Sequence, residues 1–160
     1  MPWPDDFDAV KRGEGCAMCA EGRPDESSFG IRFFQGRCSD AYLQKEAMQR
    51  GWAVVVWRGP HVAEATELSD EDAAGYWSEV MAAAHAVELH FQPLKLNLMQ
   101  LGNSLPHLHT HVVPRYQEDE NPGGPFLFPT GDIGAWPEEQ LRDDVDALRR
   151  SIQGSGRGGT

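Results

Sequence analysis

Long apolar runs are missing from this chain. The longest uninterrupted apolar burst, Trp52 to Trp57, is only strand-sized, far short of a membrane-spanning helix. Basic residues are scarce: 14 Lys and Arg stand against 25 Asp and Glu, a net charge of -11. That balance excludes broad binding to a nucleic-acid polymer, which needs clustered positive charge. It leaves room for a small anionic ligand held by a few local donors. Cysteine is rare as well, with three in 160 residues. Three thiols cannot all pair within one chain, which argues against a disulfide framework. The first residues, MPWPDDFDAV, lack the basic start and apolar core of a signal peptide. The expected setting is therefore cytoplasmic, without membrane contact.

What remains is ordinary globular material, 40% apolar and 24% charged, in a length suited to one domain. No internal repeat is present. The expected domain covers 1–152, and the glycine-rich residues 153–160 form a flexible tail. Residues 1–15 read as an irregular lead-in and 16–28 as a loop. Strand-like segments occupy 29–36, 38–43 and 52–57, the last rich in β-branched and aromatic residues. Helical spacing is clearest over 69–91. Ser69 and Asp72 have the capping-box arrangement, and Ala73, Trp77, Val80, Met81, Ala84 and Val87 form one apolar stripe. Pro93 ends that helix. Two further strands are expected at 95–101 and 105–113, paired antiparallel across a short break. A long loop covers 117–135 and a second helix 137–152. The fold class is α+β, a central antiparallel sheet with one long and one C-terminal helix.

The segment HLHTHVVP places His107, His109 and His111 at alternate positions. On a strand these would share one face, with Leu108, Thr110 and Val112 directed to the core. The outer two would lie roughly 13 Å apart along the backbone. One metal ion could hold two neighbours of such a row but not all three, so the row divides its labour. Cys16 and Cys19 have C-x-x-C spacing. With His61 and His107 they make a chemically complete tetrahedral zinc set, which would tie the N-terminal loop to the sheet. The plainer alternative is a pair of ordinary loop thiols. A redox motif lacks the surrounding βαβ pattern. His85 and His90 read as helix-surface residues, Trp57 and Trp77 as core, and Lys95 and Arg115 as surface cations, the arginine with a potential pull on phosphate.

PHLHTHVVPRY resembles the histidine triad motif, His-x-His-x-His followed by two apolar residues. The wider KLNLMQLGNSLPHLHTHVVPRY resembles the bacterial branch of that family. GPHVAEATELSDED is similar to its His-containing turn before the long helix, and CAMC to a zinc half-site found in some members. The likeness spans about residues 15–116. It implies a central antiparallel sheet, often in a dimer, and hydrolysis or transfer at the α-phosphate of a nucleotide or nucleotide conjugate. It further implies structural zinc, His109 as nucleophile, the His107 carbonyl as partner of its other nitrogen, and His111 beside the transferring phosphoryl oxygens. Asn103, Ser104 and Asn97 fall where family members present polar groups to the substrate. Asn103 and Ser104 also suit simple turn chemistry. Dinucleoside polyphosphates, nucleoside phosphoramidates and adenylylated small molecules all fit as substrates. The competing expectation is a nucleotide- or metal-binding protein without turnover. The chain departs from the family at three points. RGPH keeps only Arg58 of the basic residues before the turn histidine. Thr110 stands where bulkier residues are common. Residues 29–50 match no family pattern for holding the base and ribose. The loop GGPFLFPTGDIGAW is a candidate cover for the site or contact with a partner subunit.

Overall fold

Five short segments with β-forming residues pair into one antiparallel sheet in the computed structural model, which describes residues 2–125 and 133–155. The strands are β1 (Gly30–Gln35), β2 (Ser39–Gln44), β3 (Ala53–Trp57), β4 (Lys95–Met99) and β5 (His109–Arg115). Their order is β1-β2-β3-β5-β4. The helices are α1 (Phe7–Lys11), α2 (Ala17–Glu21), α3 (Asp70–Phe91) and α4 (Glu138–Ser155), with a 3-10 turn at Ala65–Glu67. The α+β class and the antiparallel sheet expected from the sequence are present. Among the described residues, no helix is long and apolar enough to cross a membrane.

Alternation along the strands sorts residues to two faces. Ala53, Val55 and Trp57 of β3 and Val112 of β5 join Val80, Ala84 and Val87 of α3 and Leu141, Val145 and Leu148 of α4 in the main core. Leu108 packs there too. On the opposite face Tyr42, Val54 and Val56 pack with Met18 and Phe29, and Trp52 packs with Ala47, Val113 and Met99. That second face carries His109 and His111, because Val56 pairs with His109 and Val54 with His111. Thr110 points to the helices as expected. Its hydroxyl is 2.8 Å from the Tyr76 hydroxyl, and the Tyr76 hydroxyl is 3.1 Å from the Val55 carbonyl, so no polar group is stranded there.

Helix α3 begins at the Ser69 cap, whose hydroxyl accepts from the Asp72 N–H at 3.1 Å. It ends where Gln92 turns left-handed at φ 49, just before Pro93. The expected apolar stripe holds at Val80, Ala84 and Val87 and fails at Trp77 and Met81. Tyr76 is fully buried, whereas Trp77 and Met81 are 41% and 44% exposed. The tyrosine reaches polar partners through the core with its hydroxyl, and periodicity alone does not show that. His85 is exposed, but His90 is drawn inward by Asp144 of α4, Nε2 to Oδ1 at 2.8 Å. Arg115 is 5% exposed and no surface cation. It bonds Asp119 at 2.5 Å, the Asn97 side chain at 2.7 Å, and the Asn121 and Gly124 carbonyls.

Four further boundaries differ from expectation. The lead-in contains α1, the cysteine loop contains α2, and β5 starts at His109, later than residue 105. Pro106 lacks an N–H for a ladder, and the chain pairs irregularly there, with Leu108 N–H donating to the Val62 carbonyl. Helix α4 runs three residues past 152. Residues 156–160 of the expected tail, and 126–132 of the aromatic loop, lie outside the described residues.

A buried carboxylate ties the N-terminal loop to the sheet. Asp40 on β2 is fully buried and meets the Arg58 Nε at 3.1 Å and the Arg23 Nη2 at 2.7 Å. Arg58, 4% exposed at its side chain, also donates to the Met18 carbonyl at 2.9 Å. Replacing Asp40 by Ala leaves the buried guanidinium without its partner, which costs about 3–5 kcal/mol. Urea unfolding of Asp40→Ala should show a loss of this order; an unchanged midpoint would remove the cluster from the account of the fold.

Candidate active site and metal centre

The three alternate histidines do not share one surface. His109 and His111 lie on β5 with ring centroids 5.0 Å apart. His107 precedes the strand, is 2% exposed, and directs its ring to the cysteine loop. Each ring meets a partner whose chemistry fixes where its proton sits. A carbonyl only accepts, and an indole N–H only donates.

His107 Nε2 lies 2.8 Å from the Trp57 carbonyl, so Nε2 carries the proton and Nδ1 the lone pair. That Nδ1 is 3.4 Å from Cys16 Sγ and 3.5 Å from Cys19 Sγ. His61 repeats the arrangement: Nε2 faces the Lys11 carbonyl at 3.2 Å, and Nδ1 is 3.3 Å from Cys19 Sγ. The four ligand atoms of Cys16, Cys19, His61 and His107 all lie within 4.8 Å of one another. Tetrahedral zinc with ordinary bond lengths separates its nitrogen and sulfur ligands by about 3.6 Å. The donor set therefore fits a metal of that kind, and both imidazoles have the carbonyl partner that orients a ligating histidine. Cys16 caps α2, and Cys19 follows on the same short helix. Gly13, at φ +90, lets the lead-in pass close to the His61 ring, where a Cβ would sit 3.2 Å from Cγ. Desolvation and the adjacent Cys16 sulfur push the Cys19 thiol up to about 11, a repulsion that a divalent cation would relieve. Burial lowers His107 to about 4, keeping it neutral as a ligand must be.

His109 is the converse case. Its Nδ1 lies 2.7 Å from the His107 carbonyl, so Nδ1 carries the proton and Nε2 keeps the lone pair. Burial lowers its pKa and holds it neutral. His109 and His111 line a cavity of about 810 Å³. Asn103 and Ser104 line it too, with Gly102 and Leu105 from the same turn. Asn97 stands apart. It belongs to edge strand β4, its Oδ1 accepts from Arg115, and it lines a different groove between α3 and β4. Two contributors were not visible in the sequence. Pro2, Trp3 and Pro4 of the lead-in form one wall of the cavity, beside Met18. The Trp52 indole Nε1 reaches His111 Nδ1 at 3.1 Å. The first depends on the path of the lead-in and the second on strand register.

Fold and site together define an α+β protein with paired imidazoles in a cavity next to a two-cysteine, two-histidine cluster. The HIT domain model matches residues 32–118, more than half of the chain. The chain is 30% identical over 120 residues to the protein hit of Bacillus subtilis (strain 168), covering 72% of this chain and 80% of that one. A histidine triad protein from Bradyrhizobium japonicum superposes with TM-score 0.70 at 26% identity, over 77% of this chain and 90% of the other. A zinc-bound histidine triad family protein from Mycobacterium smegmatis has the same fold, with TM-score 0.65 at 18% identity over 91% and 98% of the chains. The chain belongs to the histidine triad family. That family comprises nucleotide-binding proteins, hydrolases and transferases.

Burial and the neighbouring His109 lower His111 from 6.5 to about 4. Between those values the unfolded chain binds the proton and the folded chain does not. Stability from this group is complete above about 6.5 and is lost as pH falls toward 4. Thermal melts across that window should show a shallower pH slope for His111→Asn than for wild type. Parallel slopes would mean that His111 does not stay neutral in the fold.

Proposed function

We propose that this chain is a nucleotide hydrolase or nucleotidyltransferase that acts at an α-phosphate through a covalent nucleotidyl-histidine. The observation that carries the proposal is the 2.7 Å bond between His109 Nδ1 and the His107 carbonyl. It leaves the lone pair on Nε2 of a neutral imidazole in the cavity, the form in which histidine is a nucleophile. His109 Nε2 attacks phosphorus, and the bond from phosphorus to the leaving group breaks. The leaving group departs with that electron pair and takes up a proton from solvent. Water or another hydroxyl acceptor then attacks and gives up its proton to solvent, the P–N bond breaks, and His109 regains its lone pair. His111, Asn103 and Ser104 offer polar groups for charge building on the phosphoryl oxygens. Trp3, 63% exposed at the cavity wall, offers an aromatic face for a base. Dinucleoside polyphosphates, nucleoside phosphoramidates and adenylylated small molecules share the required α-phosphate. Asn97 keeps the substrate role implied by the likeness only if Arg115 releases it.

The test is intact-protein mass spectrometry after brief mixing with an adenosine phosphoramidate or a dinucleoside polyphosphate, quenched without acid. Wild type should gain one nucleotidyl mass and His109→Ala none. Nucleotide affinity that survives His109→Ala, with no adduct in wild type, would favour a binding protein without turnover.

The second part of the proposal is structural zinc on Cys16, Cys19, His61 and His107. When bound, the ion would cross-link the N-terminal loop to the sheet next to His109. The residues' own part is to present two thiolates and two carbonyl-oriented Nδ1 atoms. Purified protein should carry about one zinc per chain, and Cys16→Ser should lose it and melt at lower temperature. Zinc-free wild type with an unchanged Cys16→Ser melt would end this part.

The third part is a homodimer formed along β4. This strand is an edge of the sheet, and unpaired edges invite another strand. Leu98 and Leu101 are 38% and 42% exposed near it, and Trp77 and Met81 are exposed on α3. Light scattering should give twice the 17.8 kDa chain mass, reduced to one chain by Met81→Glu. A wild-type monomer would refute the dimer.

A further inference from the structure

Trp52 lies just before β3, 4% exposed, and is closely packed. It packs among Ala47, Val113 and Met99. Gly51 before it adopts φ +89 and is so close to the Phe91 ring that a Cβ would meet it at 2.6 Å. The indole is therefore held where the backbone puts it. Its Nε1 is 3.1 Å from His111 Nδ1, and the two rings meet edge-on, 72° between planes, with centroids 5.7 Å apart.

An indole N–H donates and does not accept. His111 Nδ1 must then supply the lone pair, and the proton of the neutral ring sits on Nε2. His109 has the opposite form, imposed by the His107 carbonyl. Two imidazoles of the same strand face, both lining one cavity, are thus set in complementary states. One offers a lone pair at Nε2 and the other an N–H at Nε2. A nucleophile and a hydrogen-bond donor are what displacement at a charged phosphoryl group needs.

We propose that Trp52 is a positioning residue that holds His111 in its Nε2–H form, so that the third histidine of the row meets a phosphoryl oxygen as a donor. The phosphoryl half of this statement rests on the reading of His109 as the nucleophile; the tautomer half does not. Without the indole N–H, His111 is free to move its proton to Nδ1. Its Nε2 lone pair would then face the phosphoryl oxygens and repel them.

The experiment uses protein labelled with ¹⁵N-histidine, without nucleotide. Two-bond correlations from the ring C–H groups report which nitrogen is protonated. Wild type is compared with Trp52→Phe and with a chain carrying benzothienylalanine at position 52, which keeps the bicyclic shape and has a non-donating sulfur in place of the N–H. His111 should be Nε2–H in wild type and should gain the Nδ1–H form in both replacements. In turnover assays kcat should fall roughly tenfold while KM moves less than about twofold, the pattern of a donor engaged in the transition state. An Nδ1–H ring in wild type, or an unchanged tautomer in both replacements, would overturn the positioning role. A tautomer that shifts with kcat intact would overturn the donor role. Absence of any His109 adduct would remove the nucleotidyl reading, and the tautomer result would still decide whether Trp52 sets the state of His111.

Discussion

Everything at this site turns on the carbonyl oxygen of His107. It accepts from His109 Nδ1 at 2.7 Å, while the ring of the same residue reaches the two cysteines. One residue thus joins the metal-competent cluster to the neighbouring imidazole. Any ion held by the cluster would restrain the carbonyl, and the carbonyl fixes the state of His109. The link is short, made of backbone and one buried ring, and leaves little freedom for either end.

The fold supplies this geometry through an interruption. Pro106 and the irregular pairing around Leu108 keep His107 out of the β5 ladder. The ring can then turn to the Trp57 carbonyl and the cysteine loop. The next two odd-numbered residues fall back into strand register and face the cavity. On the other side of the cluster, Arg58 holds the Met18 carbonyl and Asp40 together, fixing α2 and hence both thiols. Below the histidines, the Tyr76 and Thr110 hydroxyls bond each other, which lets a small polar residue stand behind the row without a stranded group.

Much of this was legible because it is periodic or closely spaced. The alternation of 109–113, the run at 53–57 and the cap-to-proline span of α3 each carry a local pattern that needs no distant partner; the same alternation wrongly places His107 on the strand, which begins only at His109. The Cys16, Cys19, His61, His107 set was legible from ligand chemistry, and the structure brings all four together. What was missed depends on long-range contact. Tyr76 is chosen over Trp77 because its hydroxyl has partners on β3 and β5. Arg115 is buried because Asp119 and two carbonyls of the following loop surround it. His90 is drawn in by Asp144, 54 residues away. Trp52 meets His111 only through the register of β3 on β5, and the Trp3 wall only through the path of the lead-in. None of these has a signature within a short window of sequence.

The central claim is that three imidazoles of one short segment are divided by their partners into a metal ligand, a nucleophile and a donor. Neutron diffraction from deuterium-exchanged crystals at neutral pH tests it most directly. The account predicts deuterons on Nε2 of His107, Nδ1 of His109 and Nε2 of His111. A deuteron on Nε2 of His109, or on both nitrogens of its ring, would take away the lone pair that the mechanism requires and would contradict the account.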